Sequence, residues 1–141
     1  MAGIFSQGFD PAKLLEVATP VSAPEILSIG LLLCNAGEYI GGHRAVRVNA
    51  AGMAYHASNI RPPLRYAAGI SVNAANIGNR VLVRVSGVLQ DLAFNWNEGP
   101  VWLGDNGVMT QTLPTTGTMF LMGVGSGTWI IIRPRLIATL S

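Results

Sequence analysis

Charge is what this sequence has least of. Only 11% of its 141 residues are Asp, Glu, Lys or Arg, against about 25% in ordinary globular chains. A compact monomer of 14.9 kDa exposes roughly 7,000 Å², which leaves about one charge per 440 Å². Such a surface disperses poorly, so the chain either meets lipid or has its faces covered by neighbours. Long apolar runs are also missing. Residues 26–34 (ILSIGLLLC) form the most apolar stretch, about half of the ~20 residues a spanning helix needs. The long regular alternation and aromatic girdles of an outer-membrane barrel are absent too. No membrane partner is expected, and an assembly subunit is what remains.

Cysteine is nearly absent. Cys34 stands alone, which excludes an internal disulfide, and at the end of an apolar run it reads as a buried, inert thiol. The opening MAGIFSQGFDPAKLLEV has no basic leader followed by an apolar core, so synthesis in a cytoplasm is expected. Lysine is scarce as well: eight of the nine basic residues are Arg, scattered from Arg44 to Arg135. A nucleic-acid binder carries a dense basic stripe with interleaved aromatics, so no nucleic acid is expected. Planar, weakly hydrated guanidinium suits subunit contacts instead.

The ingredients of catalysis are thin. His43 and His56 are the only histidines, and no Cys, Asp or Glu accompanies them at ligand spacing. The carboxylates are spread singly. No nucleophile elbow surrounds Ser71 or Ser86. Residues 123–127 (GVGSG) join two apolar segments and open no helix, so they are not a phosphate loop. The expectation is no enzyme, no metal and no cofactor. Catalysis would require His43 and His56 to converge on one cleft with a carboxylate.

What is present is β-pattern. Residues 80–85 alternate strictly, with Val81, Val83 and Val85 against Arg80, Leu82 and Arg84, which predicts a half-buried strand. Further strands are predicted at 44–48, 53–56, 65–72, 119–124, 129–133 and 136–140, spaced by Gly, Asn and Pro turns. Leu92, Phe94 and Trp96 repeat the alternation. The hairpin 99–117 (GPVWLGDNGVMTQTLPTTG) turns at Gly104-Asp105-Asn106-Gly107, residues that tolerate positive φ. The fold class is therefore all-β, an antiparallel sandwich or small barrel.

The first 36 residues differ. Asp10-Pro11 starts a short helix over 12–17, and Pro20 limits it. Residues 19–24 form a Pro-punctuated tether, and the periodicity of 25–34 fits neither strand nor helix uniquely. This predicts an N-terminal extended arm over 1–36 and a β-domain over 37–141, although the apolar run could equally be the first strand of the core. The tryptophans Trp96, Trp102 and Trp129 could stack on sugars, but each sits among apolar neighbours, which favours core or subunit contact.

Residues 78–136 together resemble a small β-domain that recurs in virion proteins of tailed bacteriophages, both capsid decoration (cement or head-fibre) proteins and tail or neck fibres. The matching positions are Val85, Gly87, Trp96, Gly99, Pro100, Val101, Leu103, Gly104, Gly107, Thr110, Gln111, Thr112, Pro114, Gly117, Gly123 and Pro134. Upstream, residues 42–59 (GHRAVRVNAAGMAYHASN) are similar to the preceding hairpin of that domain. One departure is the apolar Met119-Phe120-Leu121-Met122 in place of a polar residue, which favours a contact between copies. The resemblance implies a structural protein on the capsid surface of a virion. It would self-associate, with a trimer favoured, and bind the major capsid protein to stabilise the head. Its alternative is a tail or neck fibre, or a receptor-binding module for host-surface glycans. The expected contact residues are Phe5, Phe9, Leu14 and Leu15 in the arm, and Arg80, Arg84, Trp96, Trp102, Met119, Phe120 and Trp129 in the β-domain.

Overall fold

The computed structural model describes residues 25–26, 30–62 and 66–140. The predicted arm helix, with Phe5, Phe9, Leu14 and Leu15, lies outside the described residues. The described residues contain no helix and form two β-layers.

The first layer comprises β1 (Glu25–Ile26), β2 (Leu31–Ala36), β3 (Ala45–Val48), β4 (Met53–His56), β5 (Gly69–Ser71) and β6 (Arg80–Arg84). Its order is β1-β2-β4-β3-β5-β6, and β6 returns to pair with β2, closing a ring of five strands. Along one edge β2 runs antiparallel to β6, from Leu31↔Arg84 to Asn35↔Arg80. Its other edge is shared by β1 at Leu32 and Leu33 and by β4, in parallel, at Asn35 and Ala36. The sequence predicted antiparallel pairing only. Parity explains the exception: direction must alternate around an all-antiparallel ring, so a closed ring with an odd number of strands needs at least one parallel pair. Residues 25–36, assigned above to the arm with a core strand as alternative, thus supply β1 and β2 of this sheet.

A five-stranded ring is narrow, because barrel diameter grows with strand number. Its interior is accordingly lined by small side chains, Cys34, Ala36, Ala54 and Ala75, with Ile40, Val46, Val81 and Val83 between them. The strand β6 was predicted to be half-buried. Instead Val81, Leu82 and Val83 are all fully buried: the valines fill the ring while Leu82, on the opposite face, lies beside Leu33 of β2. Burial pushes the Cys34 thiol up to about 12. Since thiolate is the reactive form, the native protein should not react with a thiol reagent at pH 8, and labelling should begin only on denaturation. Stoichiometric labelling of the folded chain would contradict this burial.

The second layer holds β7 (Gly87–Gln90), β8 (Trp96–Leu103), β9 (Met109–Thr110), β10 (Thr118–Gly127) and β11 (Trp129–Thr139), in the order β7-β11-β10-β8-β9. It is antiparallel throughout. Leu89, Val101, Leu103, Phe120, Met122, Ile130 and Ile132 of this sheet pack on Ala45, Ala57, Ala67 and Ile70 of the barrel layer. The architecture is all-β as predicted, a small closed barrel with a second sheet packed against its wall.

Several predicted strands changed. Leu92 and Phe94 are not in a strand: Asp91 accepts hydrogen bonds from the Ala93 and Phe94 amides, and the resulting turn leaves Leu92 exposed. A local Asx turn outcompetes alternation there. Conversely, 129–133 and 136–140 merge into the single strand β11. Pro134 is tolerated because the β10–β11 register slips between Leu121↔Arg135 and Gly123↔Ile132, so no ladder bond is demanded of it.

The hairpin that the sequence marks so clearly joins the layers. Asn106 (φ 53°) and Gly107 (φ 74°) take the left-handed backbone expected of its tip. The Gly107 amide donates to the Ala57 carbonyl at 2.6 Å, and the Gly107 carbonyl accepts from the Ala45 amide at 2.9 Å. The Gly104 carbonyl accepts from the Asn59 amide at 3.1 Å. Around the tip, Asp105 accepts from Arg61 Nε and Nη2 at 2.8 and 2.9 Å and from the Ser58 hydroxyl at 2.8 Å. The residues after β4 are held from the other side as well, since the Asn59 carbonyl accepts from the Thr118 amide at 2.8 Å.

These partners, Arg61 first and then Ser58, lower the Asp105 carboxyl to about 2. A depressed carboxyl contributes stability above its unfolded value, and that contribution disappears as pH falls through the folded one. Between pH 3.8 and about 2, therefore, the clasp is lost. An Arg61→Met variant should show a flatter fall in Tm across this interval than the parent. Identical Tm–pH profiles would show that the pair does not act on folding.

Candidate functional site

The outer face of the five-stranded sheet is the largest feature the fold leaves unexplained. Buried Ile130 and Ile132 face the barrel, so strand alternation turns Trp129, Ile131 and Arg133 outward. Across the strands, Pro100 of β8, Val124 of β10, Ile131 of β11 and Val88 of β7 lie side by side in register. Two residues along on the same face, Trp129 stands beside Ser126 and Gln90. Val88 is 56% exposed, Val124 40% and Trp129 36%. An apolar row thus crosses four strands on a solvent-facing surface.

Charge sits only at the margins of this face. Arg133 and Arg135 lie toward one end and Glu98 toward the other, all exposed. Among the described residues none of the three takes part in an ion pair. The sheet measures roughly 20 Å across its strands by 30 Å along them, from strand spacings near 4.8 Å and rises near 3.3 Å per residue. Its projected area of roughly 600 Å² is of the order of the ~800 Å² that each partner gives to a stable interface.

The expected contact residues are dispersed. Trp129 is on the outer face. Met119 is half-buried opposite Ala138. Phe120 is not a surface residue: it is 5% exposed in the core between the layers, as is Met122 beside it. Two residues apart on β10, both fall on its inward face. Trp102 is 9% exposed, opposite Leu121 and Thr110. Trp96 packs beside Gly125, where no Cβ would fit, and against Phe94 at 5.4 Å. Arg80 and Arg84 are half-buried at the two ends of β6, opposite Asn35 and Leu31. Two other arginines are engaged within the chain, Arg61 by Asp105 and Arg47 over the Tyr55 ring at 4.6 Å.

The histidines do not share a site. His43 Nδ1 meets Asp91 Oδ2 at 2.5 Å. His56 Nε2 accepts from the Gly41 amide at 3.2 Å, while its Nδ1 lies 3.7 Å from Glu38. Burial lowers the His56 pKa, with Glu38 opposing and Arg44 reinforcing the shift. Among the described residues no three His, Cys, Asp or Glu side chains come together as metal ligands.

The sequence carries a signal for the apolar face that alternation alone does not use. At residues 129–132 (WIII) every position is apolar, which marks a strand with two apolar faces rather than one. Comparison with protein-family models and with curated proteins finds no match to this chain.

Proposed function

We propose that this protein is a structural subunit of an assembled particle, a decoration or cement protein on a tailed-phage head, whose sheet face is covered by sister copies. The apolar row Pro100–Val124–Ile131–Val88 carries the self-association. It lies on a rigid hydrogen-bonded sheet, its area suits a stable interface, and a chain with so few charges leaves little to keep it dispersed. Opposite charges at opposite ends of the face, Glu98 against Arg133 and Arg135, would fix the register of neighbouring copies. The virion setting, the trimer and the major capsid protein as partner rest on the motif resemblance over residues 78–136. In that setting the action is adhesive: each copy adds buried area between shell subunits and opposes internal pressure.

Light scattering coupled to size exclusion tests the first step. A trimer gives three times the 14.9 kDa chain mass; a monomer at millimolar concentration would defeat the proposal. Quantitative gel densitometry of particles tests the second. Decoration requires copies stoichiometric with the shell, whereas a neck or tail fibre requires only a few per particle.

A further inference from the structure

A second feature lies away from the apolar row. A cleft of about 260 Å³ opens between the layers, lined by His43, Arg44, Phe94, Trp96, Val108 and Met109. Four observations set it apart from ordinary surface relief. His43 holds a left-handed backbone (φ 57°), one of two non-glycine residues to do so among those described, and such strain collects where a side chain must be aimed. Its imidazole is fixed by Asp91, 48 positions along the chain. The Asp91 carboxyl is itself held below its ordinary range, chiefly by the Ala93 amide and further by His43. With Nδ1 directed at Asp91, the Nε2 atom is left for another partner.

The second observation is the aromatic run. His43, Phe94 and Trp96 follow one another at ring separations of 5.4 Å, tilted by 51° and 43°. Third, the Trp96 indole N–H is buried without an acceptor, a state that costs about 1–3 kcal/mol. Fourth, Arg44 is among the residues that line the cleft and, among the described residues, forms no salt bridge. An aromatic wall suits the C–H face of a sugar ring, an imidazole nitrogen suits a hydroxyl, and an unneutralised guanidinium suits a carboxylate. The volume lies just under the ~300 Å³ at which ligand pockets usually begin, which suits one ring rather than a larger molecule.

We infer that this cleft is a binding site for a carboxylated sugar ring, with Arg44 taking the carboxylate, His43 a hydroxyl, and Phe94 with Trp96 the apolar face of the ring. The site is separate from the apolar row, so it can stand or fall without the assembly proposal.

Saturation-transfer NMR on the full chain, with methyl β-D-glucuronide as probe and methyl β-D-glucoside as control, tests it. Transfer to the glucuronide is expected, at least 10-fold weaker or absent for the uncharged glucoside. Arg44→Gln should remove that preference, and Phe94→Ala should abolish transfer to both. Each variant is first checked for parental amide-proton dispersion; if Phe94→Ala fails to fold, Asp91→Asn, which releases His43 while keeping the aromatic wall, takes its place with a several-fold loss expected. No transfer to the parent protein, equal transfer to both sugars, or glucuronide binding indifferent to Arg44→Gln would each overturn the inference. Particle mass by light scattering, measured on the same samples, separates this outcome from a failure of assembly.

Discussion

A Gly117→Ala chain melts far below the parent. Gly117 has a φ of 74°, and a Cβ built there would meet the Asn59 backbone carbonyl and lie 2.9 Å from the Ile60 side chain. A non-glycine residue pays about 1–2 kcal/mol for the left-handed backbone. Forcing a methyl against packed backbone adds about 1–3 kcal/mol. The sum, roughly 2–5 kcal/mol, corresponds to a fall in Tm on the order of 10 °C or more for a chain of this size. The obstruction cannot swing aside, since Asn59 is tied through its carbonyl to the Thr118 amide at 2.8 Å and through its amide to Gly104. Differential scanning calorimetry checks this. As a control, Gly127→Ala also stands at positive φ (57°) but has nothing within 4 Å of its Cβ, so it should show the backbone cost alone. Equal losses at the two positions would show that the contact between the hairpin layer and the residues after β4 is not what Gly117 protects.

The double substitution Val124→Glu and Ile131→Glu leaves the fold standing and dissolves the assembly. Both side chains lie side by side on the outer face, away from the core that Ile130 and Ile132 enter from the opposite side. In a free monomer the new carboxylates stay in water, so the loss of stability measured on monomer should be about 1 kcal/mol or less. In an interface they would be desolvated and placed beside like charges, at a cost of several kcal/mol, or more than 100-fold in association. Sedimentation at matched concentrations should show the parent as an oligomer and the variant at one chain mass. An unchanged oligomer would place the contact elsewhere. Comparison with Val88→Glu, at the rim of the row, then grades the effect: a smaller loss is expected where solvent reaches the charge.

Legibility differed by residue. The hairpin tip was fully legible, because Asp105, Asn106 and Gly107 are chosen for a local backbone demand that needs no knowledge of the rest of the chain. The alternation of Arg80–Arg84 placed a strand correctly but not its burial. Whether Leu82 meets water depends on Leu33 and the strand that carries it, 49 positions earlier. Phe94 was misplaced for the opposite reason: its apolar spacing looked like strand, while Asp91 closed a turn at shorter range. The face was hidden in plain composition at 129–132, since one strand cannot reveal that Pro100, Val124 and Val88 will line up beside it. His43 gave no sign of a cleft, because its partners Asp91, Phe94 and Trp96 reach it only through packing between the layers.

By itself the sequence determined the all-β class, the positions of the turns and the shortage of charge, all of which follow from local backbone preference and from composition. Only the tertiary structure decided that five strands close into a ring with one parallel pair, that the hairpin is the seam between barrel and sheet, and which apolar side chains are left outside. Pairing partners and face orientation are set by contacts between residues far apart in the chain. A one-position change of register reverses every side chain on a strand, and no local pattern carries that information.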